Sequence, residues 1–430
     1  MTAVPDPRVD ALLAQARGLI ADGRLGAEPL LDQALALAPD CAEAWSLHAH
    51  AAQARGDAQR ALECLQQACR ADPRDPRLLF RLGAVAGALG YRQDALRALE
   101  FALELAPNLH RARLKIGQLL EAAGDHRGAT RAYLKAIVRA QFDGQWLDDA
   151  TLPPALRDAV LHASEFAKRG RVDAILGLLE PLIERYGRDE MRRVERALRG
   201  YLELESIASP DPRQKPKFLY CPDLPTRAFF DRASFPWFEA LEAAYADIRA
   251  EAESVLGDPA ALQPFLTLGP NSDPAAFLAG GETAPGWDAY FFYRHGLRYD
   301  AHHARCPRTS AALEASPLVR IADHAPEICF SVLTPGSHIL PHHGVTNVRV
   351  VVHLPLIVPE GCTIRVAGED HRWREGQCVA FDDTFLHEAW NPSGDTRAIV
   401  LMDAWNPYLS EAERRAFAEV VEGVGDFHRS

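Results

Sequence analysis

The 430-residue chain has no stretch that reaches the ~18 uninterrupted apolar residues of a membrane span. Its start, Met1-Thr-Ala-Val-Pro-Asp-Pro-Arg, has neither the basic region nor the apolar run of a secretory leader, so a cytoplasmic protein is expected. Basic charge is also in deficit. The 47 Lys and Arg against 59 Asp and Glu leave a net charge of -12, which repels phosphate backbones and excludes a non-specific nucleic-acid binder. Eight cysteines (Cys41, Cys64, Cys69, Cys221, Cys306, Cys329, Cys362 and Cys378) include no Cys-x-x-Cys pair, so neither a zinc ribbon nor a dithiol couple is indicated, and most are expected as small buried hydrophobes. Apolar residues, at 48%, are ample, and the length exceeds what one core usually serves, which predicts two or three domains.

A period of 34 runs through the first third. Ala27, Ala61, Ala95 and Ala129 follow it, as do Ala34, Ala68, Ala102 and Ala136, then Gly56, Gly90 and Gly124, and Pro39, Pro73 and Pro107. Such a unit is a helix pair: glycine ends the first helix, small alanines let the pair approach closely, and proline stops the second. This resembles the tetratricopeptide repeat, with four units, the first degenerate and the last carrying Gln141 where proline would fall. Further helical sequence at 158–168 and 172–186 is expected to cap the stack, giving an all-α solenoid over 1–205. A proline- and charge-rich stretch at 206–216 reads as an exposed linker.

Residues 236–256 carry apolar positions at helical spacing. Beyond Trp287 the pattern changes to short β-branched and aromatic runs at 289–293, 327–333, 348–356, 362–366, 377–381 and 398–404, which predicts a sandwich or jelly roll. Ten of the sixteen histidines fall between His295 and His387, and that concentration raises a metal hypothesis. Pro341-His-His-Gly and Phe385-Leu-His could supply one imidazole from each of two strands. Adjacent strand residues point to opposite faces, so only one of His342 and His343 serves, the other facing solvent. Arg397 opens an apolar strand and is suited to hold a carboxylate by a bidentate fork.

The motifs Phe330-Ser-Val-Leu-Thr-Pro-Gly-Ser-His-Ile-Leu-Pro-His-His-Gly-Val-Thr-Asn, Val352-His-Leu-Pro-Leu, Phe381-Asp-Asp-Thr-Phe-Leu-His-Glu-Ala-Trp, Arg397 and Asp403-Ala-Trp-Asn-Pro resemble the aspartyl/asparaginyl β-hydroxylase family of iron(II)- and 2-oxoglutarate-dependent oxygenases. The resemblance covers roughly residues 215 to 410. It implies a multidomain chain: the tetratricopeptide solenoid, then over 217–430 a double-stranded β-helix (jelly-roll or cupin-like) domain with flanking helices. It implies His342 and His387 as ligands of Fe(II), with Gly344 where relatives in the wider superfamily carry an acidic ligand and water taking that position. Arg397, Ser331 and His353 are implied for 2-oxoglutarate, and O2 as the second cosubstrate. Arg349 is the candidate for a substrate carboxylate, with Trp287 and Arg294 as further substrate contacts. Val351 departs from the family, which can place a second arginine there.

The implied reaction is hydroxylation of an aspartyl, asparaginyl or similar residue of a polypeptide recruited by the solenoid, with release of succinate and CO2. The alternatives are a catalytically silent tetratricopeptide adaptor with a β-sandwich binding module, or a hydroxylase of a free amino acid or lipid acyl chain. His302, His303, His324 and His371 are expected in loops or on the surface, Tyr290-Phe-Phe-Tyr in the core, and Asp382-Asp383 as a turn-shaping pair.

Overall fold

The computed structural model describes residues 6–148, 150–266, 273–280 and 285–429, and divides into two compact units, Met1–Ala174 and Ile175–Arg429. The first is built from four helix pairs, Pro7–Ala21 with Ala27–Leu37, Ala42–Ala54 with Ala58–Ala71, Pro76–Ala88 with Arg92–Leu105, and His110–Glu121 with His126–Phe142, followed by most of Arg157–Leu176, which covers the expected 158–168 helix and packs Val160, Ala163 and Ala167 on the last pair. Asp6, Asp57, Asp75 and Asp125 start helices by accepting a backbone N–H on their carboxylates. Gly56, Gly90 and Gly124 lie just past the ends of first helices with φ of 79°, 86° and 77°, a left-handed turn that a Cβ would strain. All eight alanines of the two periodic series are buried. Within the pairs, helices approach closely at Gly83 and Gly117, where a Cβ would stand 2.6 Å from Leu99 Cγ and 2.3 Å from the Tyr133 ring. The last paired helix, without the proline, runs to 17 residues where its two predecessors stop at 14.

The second unit holds two antiparallel sheets. The seven-stranded one orders Gln263–Pro264, Trp287–Arg294, Ile328–Leu333, Arg397–Trp405, Arg349–Ile357 and Val379–Phe381, with Leu297–Arg298 beside Trp287–Arg294. The five-stranded one orders Leu278–Ala279, His338–His342, His387–Trp390, Thr363–Val366 and Glu369–His371. Alternation along the strands decides what each face does. Val350, Val352 and Leu354, with Val400, Met402 and Ala404, pack outward against Phe238, Leu241 and Ile248 of the covering helices. Leu333, Val351 and Phe381 turn the other way and meet Ile339, Ile364, Val366 and Ala389 of the second sheet, so an apolar layer lies between the sheets.

Each of the six expected strand runs contains a strand. The 236–256 helix is two, Phe238–Ala243 and Tyr245–Leu256. The division of the chain differs from the expectation. Helices Glu180–Tyr186 and Arg192–Tyr201, expected to cap the solenoid, count with the second unit, where the Arg193 guanidinium forks onto Glu413, 2.6 Å from one carboxylate oxygen. Nor is 206–216 a free linker. Gln214 is buried and donates to Asp382 at 2.6 Å, and Arg213 donates to the Ala367 carbonyl at 2.7 Å. Polar side chains that look solvated in the sequence find partners buried in the sheet domain.

Candidate active site

His342 ends one strand and His387 begins its antiparallel neighbour, and the two are direct cross-strand partners. Their ring centroids are 4.1 Å apart. Each uses Nδ1 on the carbonyl two residues back, His342 on Leu340 at 2.8 Å and His387 on Phe385 at 3.0 Å. A carbonyl only accepts, so Nδ1 carries the proton and Nε2 keeps its lone pair, the tautomer a metal ligand needs. Burial lowers the pKa of His342, and burial together with the neighbouring His342 takes His387 down to about 4, so both rings are neutral at neutral pH.

Both line a cavity of about 200 Å3 between the sheets. The strand period places the remaining side chains there. Arg397, Ile399, Leu401 and Asp403 line it from one strand, and Arg349, Val351 and His353 from the next, with Ser331 and Trp287 beyond. Arg397 is 1% exposed, and among the described residues no carboxylate pairs with it. Its NH1 donates to the Ser331 carbonyl at 3.3 Å, its guanidinium lies 5.1 Å from the Trp373 ring, and Nε has no partner among the described residues. Burial pulls its pKa down to about 10, which leaves it charged. His353 is buried, both its ring nitrogens lack a partner among the described residues, and burial, then the charge of Arg397, holds its pKa well below the ordinary value. A buried cation and an idle imidazole beside it need an anion with several acceptor oxygens.

The other end of the cavity carries its own ion network. Arg349 is 3.0 Å from Asp383 and 3.0 Å from Asp403. Burial alone would lower its pKa, but the two carboxylates raise it. Burial also raises Asp403, which accepts the Glu327 N–H at 2.9 Å, and takes Glu327 up to about 7. The Asp383 carboxylate stands where a side chain at 344 would begin: a Cβ on Gly344 would lie 2.1 Å from its Cγ. Even so, among the described residues no group of three or more His, Cys, Asp or Glu side chains forms a metal-binding cluster.

Seven of the eight residues singled out in the sequence, His342, His387, Arg397, Ser331, His353, Arg349 and Trp287, line this one cavity. Trp287 donates its indole N–H to Ser331 Oγ at 3.0 Å and stacks on Phe265. Arg294 is the exception: it lies outside the lining, donates to the Phe265 carbonyl at 3.0 Å and sits over the Phe291 ring. Arg349, expected to be open to a substrate carboxylate, already holds two carboxylates of its own chain. His343 is half-buried and bonded through Nδ1 to the Thr384 carbonyl at 2.8 Å instead of facing water. His303, expected at the surface, is buried against Ser310 and the Phe292 carbonyl. Trp373, Glu327 and Asp403 were not singled out as site residues, because only the folded chain puts them beside Arg397 and Arg349.

Two imidazoles that bond the backbone through Nδ1 and leave Nε2 for a ligand fit a divalent metal of borderline softness, and Arg397, with no carboxylate partner among the described residues, fits a carboxylate cosubstrate in the same cavity. A family profile described as aspartyl/asparaginyl β-hydroxylase matches residues 242–407, and a tetratricopeptide repeat profile matches 42–75. The chain belongs to the aspartyl/asparaginyl β-hydroxylase family. It is 31% identical over 242 residues to the mouse (Mus musculus) aspartate β-hydroxylase domain-containing protein 2, covering 55% of this chain and 67% of that one. It is 36% identical over 135 residues to the human (Homo sapiens) aspartyl/asparaginyl β-hydroxylase, covering 31% of this chain and 18% of that one. It is 34% identical over 186 residues to the Rhizobium tropici ornithine lipid ester-linked acyl 2-hydroxylase, covering 43% of this chain and 62% of that one. The chain spans 64% of the length of the Xenopus tropicalis domain-containing protein 2. No helix among the described residues is long and apolar enough to cross a membrane.

Proposed function

We propose that the chain is an iron(II)- and 2-oxoglutarate-dependent dioxygenase that hydroxylates an aliphatic C–H bond, its two facing sheets forming a double-stranded β-helix. The observation that carries this reading is Arg397, a buried guanidinium with no carboxylate partner among the described residues, in the same cavity as two imidazoles that bond the backbone through Nδ1 and leave Nε2 for a ligand. His342 and His387 would hold the metal, which when bound lets 2-oxoglutarate and O2 react to give succinate, CO2 and a hydroxylated product. Arg397 clasps the far carboxylate of the cosubstrate, and His353 and Ser331 offer it further hydrogen bonds. Val351 adds no second cation, so this carboxylate meets one guanidinium only. The apolar layer of Ile339, Ile364, Phe381 and Ala389 keeps water away from the reacting centre.

For the substrate, the repeats and the family support an aspartyl or asparaginyl residue of a polypeptide bound through the solenoid. One observation favours a second reading, an acyl chain. Arg349 is already neutralised by Asp383 and Asp403, so a substrate carboxylate would have to displace one of them. The test is to incubate protein with iron(II), 2-oxoglutarate and peptide or acyl libraries, following succinate and a gain of one oxygen by mass spectrometry. Succinate formed at the same rate by His342→Ala and His387→Ala would overturn the reading.

A further inference from the structure

The 34-residue step that builds the solenoid also repeats charge. Arg77 and Arg111 hold the same position in the first helices of successive pairs, and Arg81 and Lys115 share another. Within Pro76–Ala88 and within His110–Glu121 the two positions are four residues apart, so each helix carries both cations on one face. Contacts show that these faces adjoin. The Arg111 guanidinium lies 5.5 Å from the Phe80 ring, and Arg81 reaches back to the preceding first helix, Ala42–Ala54, donating to Ser46 Oγ at 2.5 Å and to Gln53 Oε1 at 3.2 Å. Little here answers the charge. Pro76–Ala88 contains no acidic residue, and Glu121, the one in His110–Glu121, already accepts from the Tyr133 hydroxyl at 2.6 Å and pairs with His162 at 2.9 Å. Among the described residues Arg111 and Lys115 have no carboxylate partner. Arg81 bonds neutral groups, and burial pulls its pKa below the ordinary value. Arg77 is paired with Asp75 at 3.4 Å, its side chain 86% exposed.

We propose that this face docks a segment of a partner polypeptide that carries acidic side chains, laid across the two helices. The proposal rests on the reading that the solenoid recruits a polypeptide, and it states what kind. The chain as a whole, at -12, repels a long polyanion, so a basic face confined to two helices suits a short acidic stretch better than nucleic acid. The same face continues through Ala84 and Ala88 in one helix and Gln118 and Ala122 in the next, all at least partly exposed. Those small side chains let a backbone approach, and Gln118 offers its amide to a passing N–H or C=O group. Spacing adds a pattern. Packed helices lie about 8–10 Å apart and an extended chain rises about 3.3 Å per residue, so acids at every third position meet successive helices.

The experiment uses the full chain and a labelled peptide, acetylated and amidated, with glutamate at every third position, beside the same peptide with glutamine or lysine there. Affinity is read by fluorescence anisotropy without metal or cosubstrate. The glutamate peptide should bind at least about tenfold more tightly than the other two, and the advantage should vanish as salt is raised to about 1 M. Arg111→Glu combined with Lys115→Glu should weaken it about tenfold or more. Arg127→Glu, an exposed site on the second helix of that pair, should change affinity less than about twofold. Melting temperatures report whether the variants are folded. Equal affinity for the glutamate and glutamine peptides, or wild-type affinity in the folded double variant, would overturn the acidic partner and leave recruitment standing. No binding of any peptide would overturn recruitment by the solenoid, and this proposal with it. Two further results would assign the face elsewhere and overturn the proposal: RNA that displaces the peptide at equal charge, or a dimer in sedimentation that the double variant dissociates, which would make the occupant a second copy of this chain.

Discussion

Gly344→Ala tests how tightly the floor of the site is built. The new Cβ would stand 2.1 Å from Asp383 Cγ and 2.2 and 2.3 Å from its oxygens, all well inside the closest real contacts. Asp383 has nowhere cheap to go. It is 5% exposed, its carboxylate is 3.0 Å from Arg349, and its backbone carbonyl accepts the Gly344 N–H at 2.6 Å. Overpacking alone costs about 1–3 kcal/mol, and breaking a buried ion pair about 3–5 kcal/mol. The variant should therefore lose about 3 kcal/mol, a fall of about 6–12 °C in the melting of the second unit by calorimetry. In an Asp383→Ala background the space is already free, so adding the methyl should cost under about 1 kcal/mol. A Gly344→Ala variant as stable as wild type, or an equal cost in both backgrounds, would refute the reasoning. The same geometry bears on Gly344→Asp. A carboxylate there cannot enter beside Asp383, so that variant restores the missing acidic ligand only when Asp383 is shortened.

Arg397→Met should abolish detectable 2-oxoglutarate binding by calorimetry, yet stabilise the ligand-free protein by about 1–4 kcal/mol, because it removes a buried charge with no counter-ion among the described residues; a less stable ligand-free variant would contradict this. In wild type, 2-oxoglutarate at a hundred times its Kd should add about 2.7 kcal/mol to stability, and in the Met variant nothing. Glu327 is held at about 7 in the fold against an ordinary 4.5, so the folded state binds its proton more tightly. Its contribution is full below the unfolded pKa and lost as pH rises through about 7. Glu327→Gln should accordingly stabilise the protein above pH 7, by up to about 3 kcal/mol, and do nothing near pH 4, as thermal melts across that range would show. Gly117→Ala drives a methyl into the Tyr133 ring and should cost the first unit about 1–3 kcal/mol; limited proteolysis should then cut the repeats sooner and leave 2-oxoglutarate affinity unchanged.

What the sequence made legible is what periodicity encodes. The step of 34 located four helix pairs, short β-branched and aromatic runs located the strands, and the strand period put Arg349, Val351 and His353 on one face. His342 and His387 stood out through the concentration of histidines between His295 and His387 and, together with Arg397, through motifs that resemble the aspartyl/asparaginyl β-hydroxylase family. Partner choice was not legible. Nothing in the order of residues says that Asp383 fills the space Gly344 leaves, that Arg349 spends its charge on Asp383 and Asp403, or that Gln214 tucks beneath Asp382. These are long-range pairings between loop and strand residues, with no spacing rule to betray them. The stretch 206–216 misled for the same reason: its composition is that of a linker, and the burial of its Gln214 depends on Asp382, some 170 residues away.

The central claim is that His342 and His387 hold iron while Arg397 holds 2-oxoglutarate beside it. Anaerobic protein with iron(II) and 2-oxoglutarate should show a weak visible charge-transfer absorption that His342→Ala, His387→Ala and Arg397→Met each remove while remaining folded. An undiminished band in any of the three would contradict the account.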